Sequence, residues 1–232
     1  VHDWAFSPNQ IIEMLSSSEF LSALSLVFRS MFTHFSQNHL LGNMIPLLAV
    51  GIVITRQNGP LEFVFTYLAG GFLAAALTIS LTPASWAPLP IVGASGAAAA
   101  LYGFYLFDRA KSASGKDRIY LFVLPLVLSV SFIAGRFFGH EAEFLPQIFQ
   151  WLIIVSFVSG VFIRPRQRFW VTAICLWIIA NIYNFILTTG GVYVTGSAHL
   201  LHICGVATGI LLAYLNSKRH ASSRPGSRSE SI

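Results

Sequence analysis

The chain has 232 residues, 55% of them hydrophobic and only 10% charged, with a formal net charge of +5 and a mean hydropathy of +0.68. A soluble domain carries about a quarter charged residues, and apolar runs recur here from His39 to Leu215, so an ordinary water-soluble fold is excluded in favour of a polytopic membrane protein. The positive charge does not mark a nucleic-acid binder, because the basic residues sit in short clusters between apolar runs.

Residues 1–33 read as an external loop or interfacial segment. The stretch IIEMLSSSEFLSALSLVFRSMF is apolar but interrupted by Ser, Glu and Arg, which suits a helix lying at the interface better than one crossing it. Residues 1–33 do not look like a signal peptide, since Asp3 and Glu13 precede any apolar run and no basic n-region exists. Seven candidate spans follow, over 38–55, 61–81, 92–110, 119–138, 147–163, 169–187 and 198–215. Between the fourth and fifth, His140, Glu141 and Glu143 read as an exposed polar loop; no second ligand pair has metal-binding spacing, and no metal or cofactor is expected. Cys175 and Cys204 fall inside apolar segments, as buried small side chains and not as a disulfide. The polar tail 217–232 is expected to be disordered.

Lys and Arg set the direction. With the N-terminus outside, the inner loops hold Arg56; Arg109, Lys111, Lys116 and Arg118; Arg164, Arg166 and Arg168; and Lys218, Arg219, Arg224 and Arg228. That is twelve of the fourteen basic residues, leaving only Arg29 and Arg136 outside, and the loss of one span would scramble the pattern. The expected fold is therefore an all-α, polytopic transmembrane helical bundle of about seven spans, C-terminus inside.

Polar groups at membrane depth are costly and point to function. Under this topology His39, Asn43, Ser95 and His202 all fall in the outer half of the membrane, although they come from helices of both directions. His39 and Asn43 are four apart and share a helix face. Ser95 lies in Gly93-Ala94-Ser95-Gly96, whose glycines allow a tight turn. His202 is followed by Gly205 and Gly209, a small-residue stripe that lets the Ser95 helix pack close by. A hydroxyl within hydrogen-bond reach of an imidazole is the minimum for an activated serine. His199 faces roughly the same way as His202, so helical geometry leaves the base ambiguous. Asn181 and Asn184 read as structural or cavity-lining.

These elements resemble the rhomboid family of intramembrane serine proteases. His34, His39 and Asn43, in HFSQNHLLGN, look like its H-x4-H-x3-N element; Gly93 to Gly96 match its G-x-S-G motif; and His202, Gly205 and Gly209 resemble its H-x2-G-x3-G helix. The resemblance covers residues 30–110 and about 170–215. It implies Ser95 as nucleophile and His202 as general base, a dyad without a carboxylate. The Ser95 amide and the side chains of His39 and Asn43 would form the oxyanion hole, with His34, Gly93, Gly96, Gly205 and Gly209 shaping the site. Against the family's six-helix core, 119–163 looks like an inserted hairpin within a 34–216 membrane domain, with 169–187 as the penultimate core helix; the other reading keeps 119–138 as that helix and places the insertion later. The family's first helix is absent, as in a chain truncated after it. The family's aromatic four residues after the serine is Ala99, its external-loop Trp-Arg pair is missing, and an acidic residue toward the inner end of the first span is Thr55.

By that resemblance the expected activity is serine endopeptidase cleavage of single-span transmembrane proteins near the outer interface, in a bacterial cell (inner) membrane with the C-terminus cytoplasmic. The expected partners are those substrates and the lipid bilayer, with no nucleic acid. Two other classes remain: a catalytically inactive rhomboid-like protein that binds membrane clients, and a transporter using intramembrane His and Asn as an ion path, which predicts internal repeats that the sequence does not show.

Overall fold

The computed structural model describes residues 4–85, 89–118, 145–162, 166–189 and 196–222. The described residues form helices and no sheet; the one extended pairing is an isolated antiparallel bridge, in which Phe6 N donates to Ile91 O at 3.0 Å and Ile91 N to Phe6 O at 2.7 Å.

Two short helices occupy the segment expected to lie at the interface, α1 (Pro8–Ser16) and α2 (Phe20–Ser30). The first starts with Pro8, whose missing N–H is no loss at that position, behind a Ser7 hydroxyl that accepts from Gln10 N at 3.2 Å. On α2, Ala23, Leu26, Val27 and Ser30 are buried at helical spacing while Phe20, Leu21, Leu24 and Phe28 are exposed. One face thus packs on the protein and the other is free for lipid.

The next pair, α3 (Gln37–Asn58) and α4 (Pro60–Leu81), is joined by a single residue, Gly59, at φ +94°, with Pro60 opening α4. Such a reversal needs the left-handed freedom of glycine. At the centre stands α5 (Ser95–Ser112), in which every residue from Ser95 to Tyr105 is buried. The one-turn α6 (Gly115–Arg118) follows, then α7 (Leu145–Phe162), α8 (Arg166–Thr189) and α9 (Gly196–Ser222). Helices α4 and α9 both pack on α5 and on each other, and α7 pairs with α8.

Packing of α9 on α5 is backbone against backbone. A Cβ added at Gly209 would collide with the Ala100 carbonyl, one at Gly205 with the Gly96 carbonyl and Ala99, and one on α5 at Gly103 with the Val206 carbonyl. Small residues here allow the close approach that drives helix association in lipid. The paired helices α7 and α8 are tied by Trp170 Nε1, which donates to Phe157 O at 3.2 Å.

Four described segments are long and apolar enough to cross a membrane: Gln37–Asn58, Pro60–Leu81, Arg168–Ile186 and Ala198–His220. The outward face of α3 supports that reading, with Leu41, Ile45 and Leu48 all exposed. The expected span at 119–138 and the loop carrying His140, Glu141 and Glu143 lie outside the described residues. Helix α9 runs past the expected end at Leu215, as far as Ser222. Its last turn carries Arg219 and His220, cations placed where the helix dipole favours them.

The basic residues gather at one end. Arg109 donates to Gln57 Oε1 at 2.7 Å and pairs with Asp108, while Arg168 Nε donates to Asp117 Oδ1 at 3.0 Å. These contacts bring the C-terminal ends of α3 and α5 together, and α6 to the N-terminal end of α8.

Candidate active site

The polar residues singled out from sequence gather at the opposite end of the helices. His39 and Asn43 lie in the first two turns of α3, Ser95 is the first residue of α5, and His199 and His202 fall in the first two turns of α9. All of them thus stand near the N-terminal ends of their helices.

Ser95 is placed by a turn that only glycine can make. Gly93 sits at φ +117°, and its N–H donates to Ser30 O at 2.9 Å, which anchors the turn to the end of α2. A Cβ there would meet His39 Cε1 at 2.7 Å and Asn43 Nδ2 at 3.5 Å, so the Gly93 turn is in contact with the α3 face that carries both side chains. His34 secures the next residue: Ala94 N donates to His34 Nε2 at 3.4 Å, and the His34 ring meets His39 edge-on at 5.0 Å. Burial, and then the neighbouring His39, hold the His34 imidazole below its ordinary pKa, which keeps it neutral and able to accept.

Helix α5 then begins without a side-chain cap, since Ala94 occupies the N-cap position and offers no side-chain acceptor. Its first N–H groups, that of Ser95 among them, lack intrahelical partners and stand at the positive end of the helix dipole. Asn43 Nδ2 is a buried donor with no hydrogen-bond partner. Leaving such a group unpaired costs about 1–3 kcal/mol, and each exception asks for a reason. The uncapped helix start and the unpaired amide together can receive an oxygen that gathers negative charge.

On the other side stands His202. Its Nδ1 lies 2.6 Å from Asn181 Oδ1, and its ring packs on Trp177 with centroids 4.8 Å apart. The second ring nitrogen, Nε2, is buried and has no hydrogen-bond partner. It is therefore not bonded to the Ser95 hydroxyl: the helices are brought close as expected, but the serine–histidine hydrogen bond is not formed. The adjacency is set by Gly96, one residue after Ser95, where a Cβ would meet Leu201 at 2.8 Å, one residue before His202. His199 Nδ1 also faces Asn181 Oδ1, at 2.9 Å.

A cavity of about 440 Å³ opens beside Ser95, with Asn38, Asn43, Tyr102 and Trp177 in its walls. Its remaining lining is mostly aliphatic, from α3, α7 and α8: Leu41, Ile45, Ile153, Ile154, Val158 and Ile174. Among the described residues no three His, Cys, Asp or Glu side chains cluster to hold a metal.

Two contributors were not foreseen as partners of the imidazole. Trp177 supplies the aromatic face that Ala99 lacks, and Ala99 has to be small because Gly205 packs against its Cβ. Asn181, read from sequence as structural or cavity-lining, is the shared partner of both histidines. The available signal was their spacing, Trp177 and Asn181 being four apart on one face of a span.

No curated protein and no solved structure matches the chain. The family model for the Rhomboid domain matches residues 21–163, more than half of the chain, taking in His34, His39, Asn43 and Ser95 and ending before Asn181 and His202. The chain belongs to the rhomboid family.

Proposed function

We propose that this protein is an intramembrane serine endopeptidase in which Ser95 is the nucleophile and His202 the general base. The observation that carries the reading is the pair of unsatisfied groups around Ser95: a buried donor on Asn43 and a buried, unpartnered Nε2 on His202. One suits a developing oxyanion and the other a proton. In the acylation step Ser95 Oγ bonds to the substrate carbonyl carbon as its proton passes to His202 Nε2. The oxyanion is held by the Ser95 amide, Asn43 and His39, and the amine leaves with the proton that Nε2 returns. Water then attacks the acyl-enzyme by the same route, delivered from the outer side.

The substrates proposed are single-span membrane proteins cut near the outer interface, reaching Ser95 through the cavity between α3 and α7. Seven spans, an outside N-terminus and a cytoplasmic C-terminus complete the proposal. The charge asymmetry of the sequence supports them, as does the gathering of basic residues at the end remote from Ser95.

A second reading, client binding without cleavage, has one observation on its side: Nε2 is not bonded to the Ser95 hydroxyl. Catalytic hydrogen bonds are often long until substrate is bound, so the geometry is compatible with both. Cleavage of a single-span substrate in proteoliposomes decides between them. The wild type should cut and Ser95→Ala should not; equal product from the two would sink the mechanism.

Two further outcomes are expected in that assay. Asn43→Ala should lower kcat by about 10²–10³, the usual cost of removing one oxyanion donor, while thermal stability stays level or rises because an unsatisfied buried group is gone. Gly93→Ala should lower both activity and stability. Its methyl meets the His39 ring, and the backbone is left-handed at φ +117°, so a loss of about 1 kcal/mol or more is expected in thermal melts.

A further inference from the structure

Resting on the reading of His202 as base, we infer that Asn181 is a positioning residue that fixes the proton of His202 on Nδ1 and so keeps Nε2 free to accept from Ser95. The argument starts from Trp177. Asn181 Nδ2 donates to the Trp177 carbonyl at 2.8 Å, one turn back on α8. A carbonyl can only accept, so the amide nitrogen must face it and the amide oxygen must face away. That oxygen is the atom 2.6 Å from His202 Nδ1 and 2.9 Å from His199 Nδ1. It has two lone pairs and no proton, so both imidazoles must bring their own, each on Nδ1.

Neutral imidazole with its proton on Nδ1 has its lone pair on Nε2, the nitrogen left buried and unpartnered. The rotated amide would set oxygen against the Trp177 carbonyl and force both rings into the other tautomer, with Nε2 carrying the proton and unable to take one from Ser95. A single backbone carbonyl thus selects the tautomer in which a general base can work. Trp177 adds the second constraint, its ring packing on the imidazole and preventing rotation about the Nδ1 contact. Tyr102 in turn braces Trp177 edge-on at 5.3 Å. The α8 helix therefore holds the base from two sides without a carboxylate. When Nε2 takes the serine proton, the Nδ1–H bond to Asn181 becomes charge-assisted and strengthens.

The test uses the full chain in detergent micelles with ¹⁵N-labelled histidine, and a fluorophosphonate probe that labels Ser95. In the wild type the His202 nitrogen shifts should report Nδ1–H. Asn181→Leu, of similar size but without an acceptor, should lose that signature and slow labelling by about 10- to 100-fold, the range seen for outer partners that orient histidines. Asn181→Asp, held neutral by burial, keeps a donor toward the Trp177 carbonyl and an acceptor toward the rings, and should restore both readouts to within a few fold. A His202 proton on Nε2 in the wild type would overturn the inference, and needs no variant to fold. So would Asn181→Leu labelling at the wild-type rate. The spectrum does not depend on activity: Nδ1–H without any Ser95 labelling would leave the clamp standing and refute the protease.

Discussion

Ser95→Ala and His202→Ala should each reduce cleavage of a reconstituted single-span substrate to the uncatalysed background, and the double variant should be no worse than either alone. Groups that act as a unit lose their effect together, and in serine proteases removing nucleophile or base costs on the order of 10⁶ in kcat. The expectation follows from the reading of Ser95 and His202 as one reacting pair. His199→Ala is the informative comparison. His199 shares the Asn181 oxygen but sits almost one turn nearer the start of α9, and the Trp177 ring packs on His202. Its loss frees one lone pair on Asn181 without removing the clamp on His202, so activity should fall by about tenfold or less. Were His199→Ala to abolish Ser95 labelling while His202→Ala spared it, the base would be His199.

The sequence made the site legible where chemistry is carried by motifs and left it obscure where chemistry is carried by packing. His39 and Asn43 could be placed on one face from spacing alone, and Gly93 read as a turn because few other residues tolerate one there. The approach of α9 to α5 was also readable, since Gly205 and Gly209 have little other use in a span than to admit a backbone. What periodicity could not show is which helix supplies the surroundings of the base. Trp177 and Asn181 are separated from His202 by a stretch of sequence whose length says nothing about the rotation of α8 about its axis, so the tryptophan drew no reading and the asparagine read as structural or cavity-lining. Likewise, no pattern shows that Asn43 Nδ2 and His202 Nε2 lack partners; satisfaction of a polar group is a property of three dimensions. The departure at Ala99 illustrates the same limit. It looked like the loss of a stacking ring, yet Ala99 belongs to the contact with Gly205 and the ring arrives from α8.

Gly209→Leu should be the most damaging substitution outside the reacting groups, and it should act on the fold before the chemistry. The Cβ of any residue at 209 would run into the Ala100 carbonyl oxygen, carbon and Cα. Overpacking against side chains costs about 1–3 kcal/mol because they can turn aside. A helix backbone has no such freedom, so α9 would have to move off α5 bodily. That separation would also break the contacts at Gly205 and Gly103, which depend on the same approach. A loss of at least about 3 kcal/mol is expected, roughly 6–12 °C in Tm for a chain of this size, read by thermal melting in a mild detergent. Gly42→Ala supplies the contrast, since a Cβ on that helical glycine meets nothing within 4 Å, and alanine favours the helix by about 1 kcal/mol. It should melt at or slightly above the wild-type temperature. Ala100 lies in the second turn of the helix that Ser95 begins, so any Gly209→Leu protein that does fold should also hold Ser95 away from His202. In that fraction Ser95 labelling should fall. Retention of both the melting temperature and the labelling rate would show that the two helices are not in backbone contact.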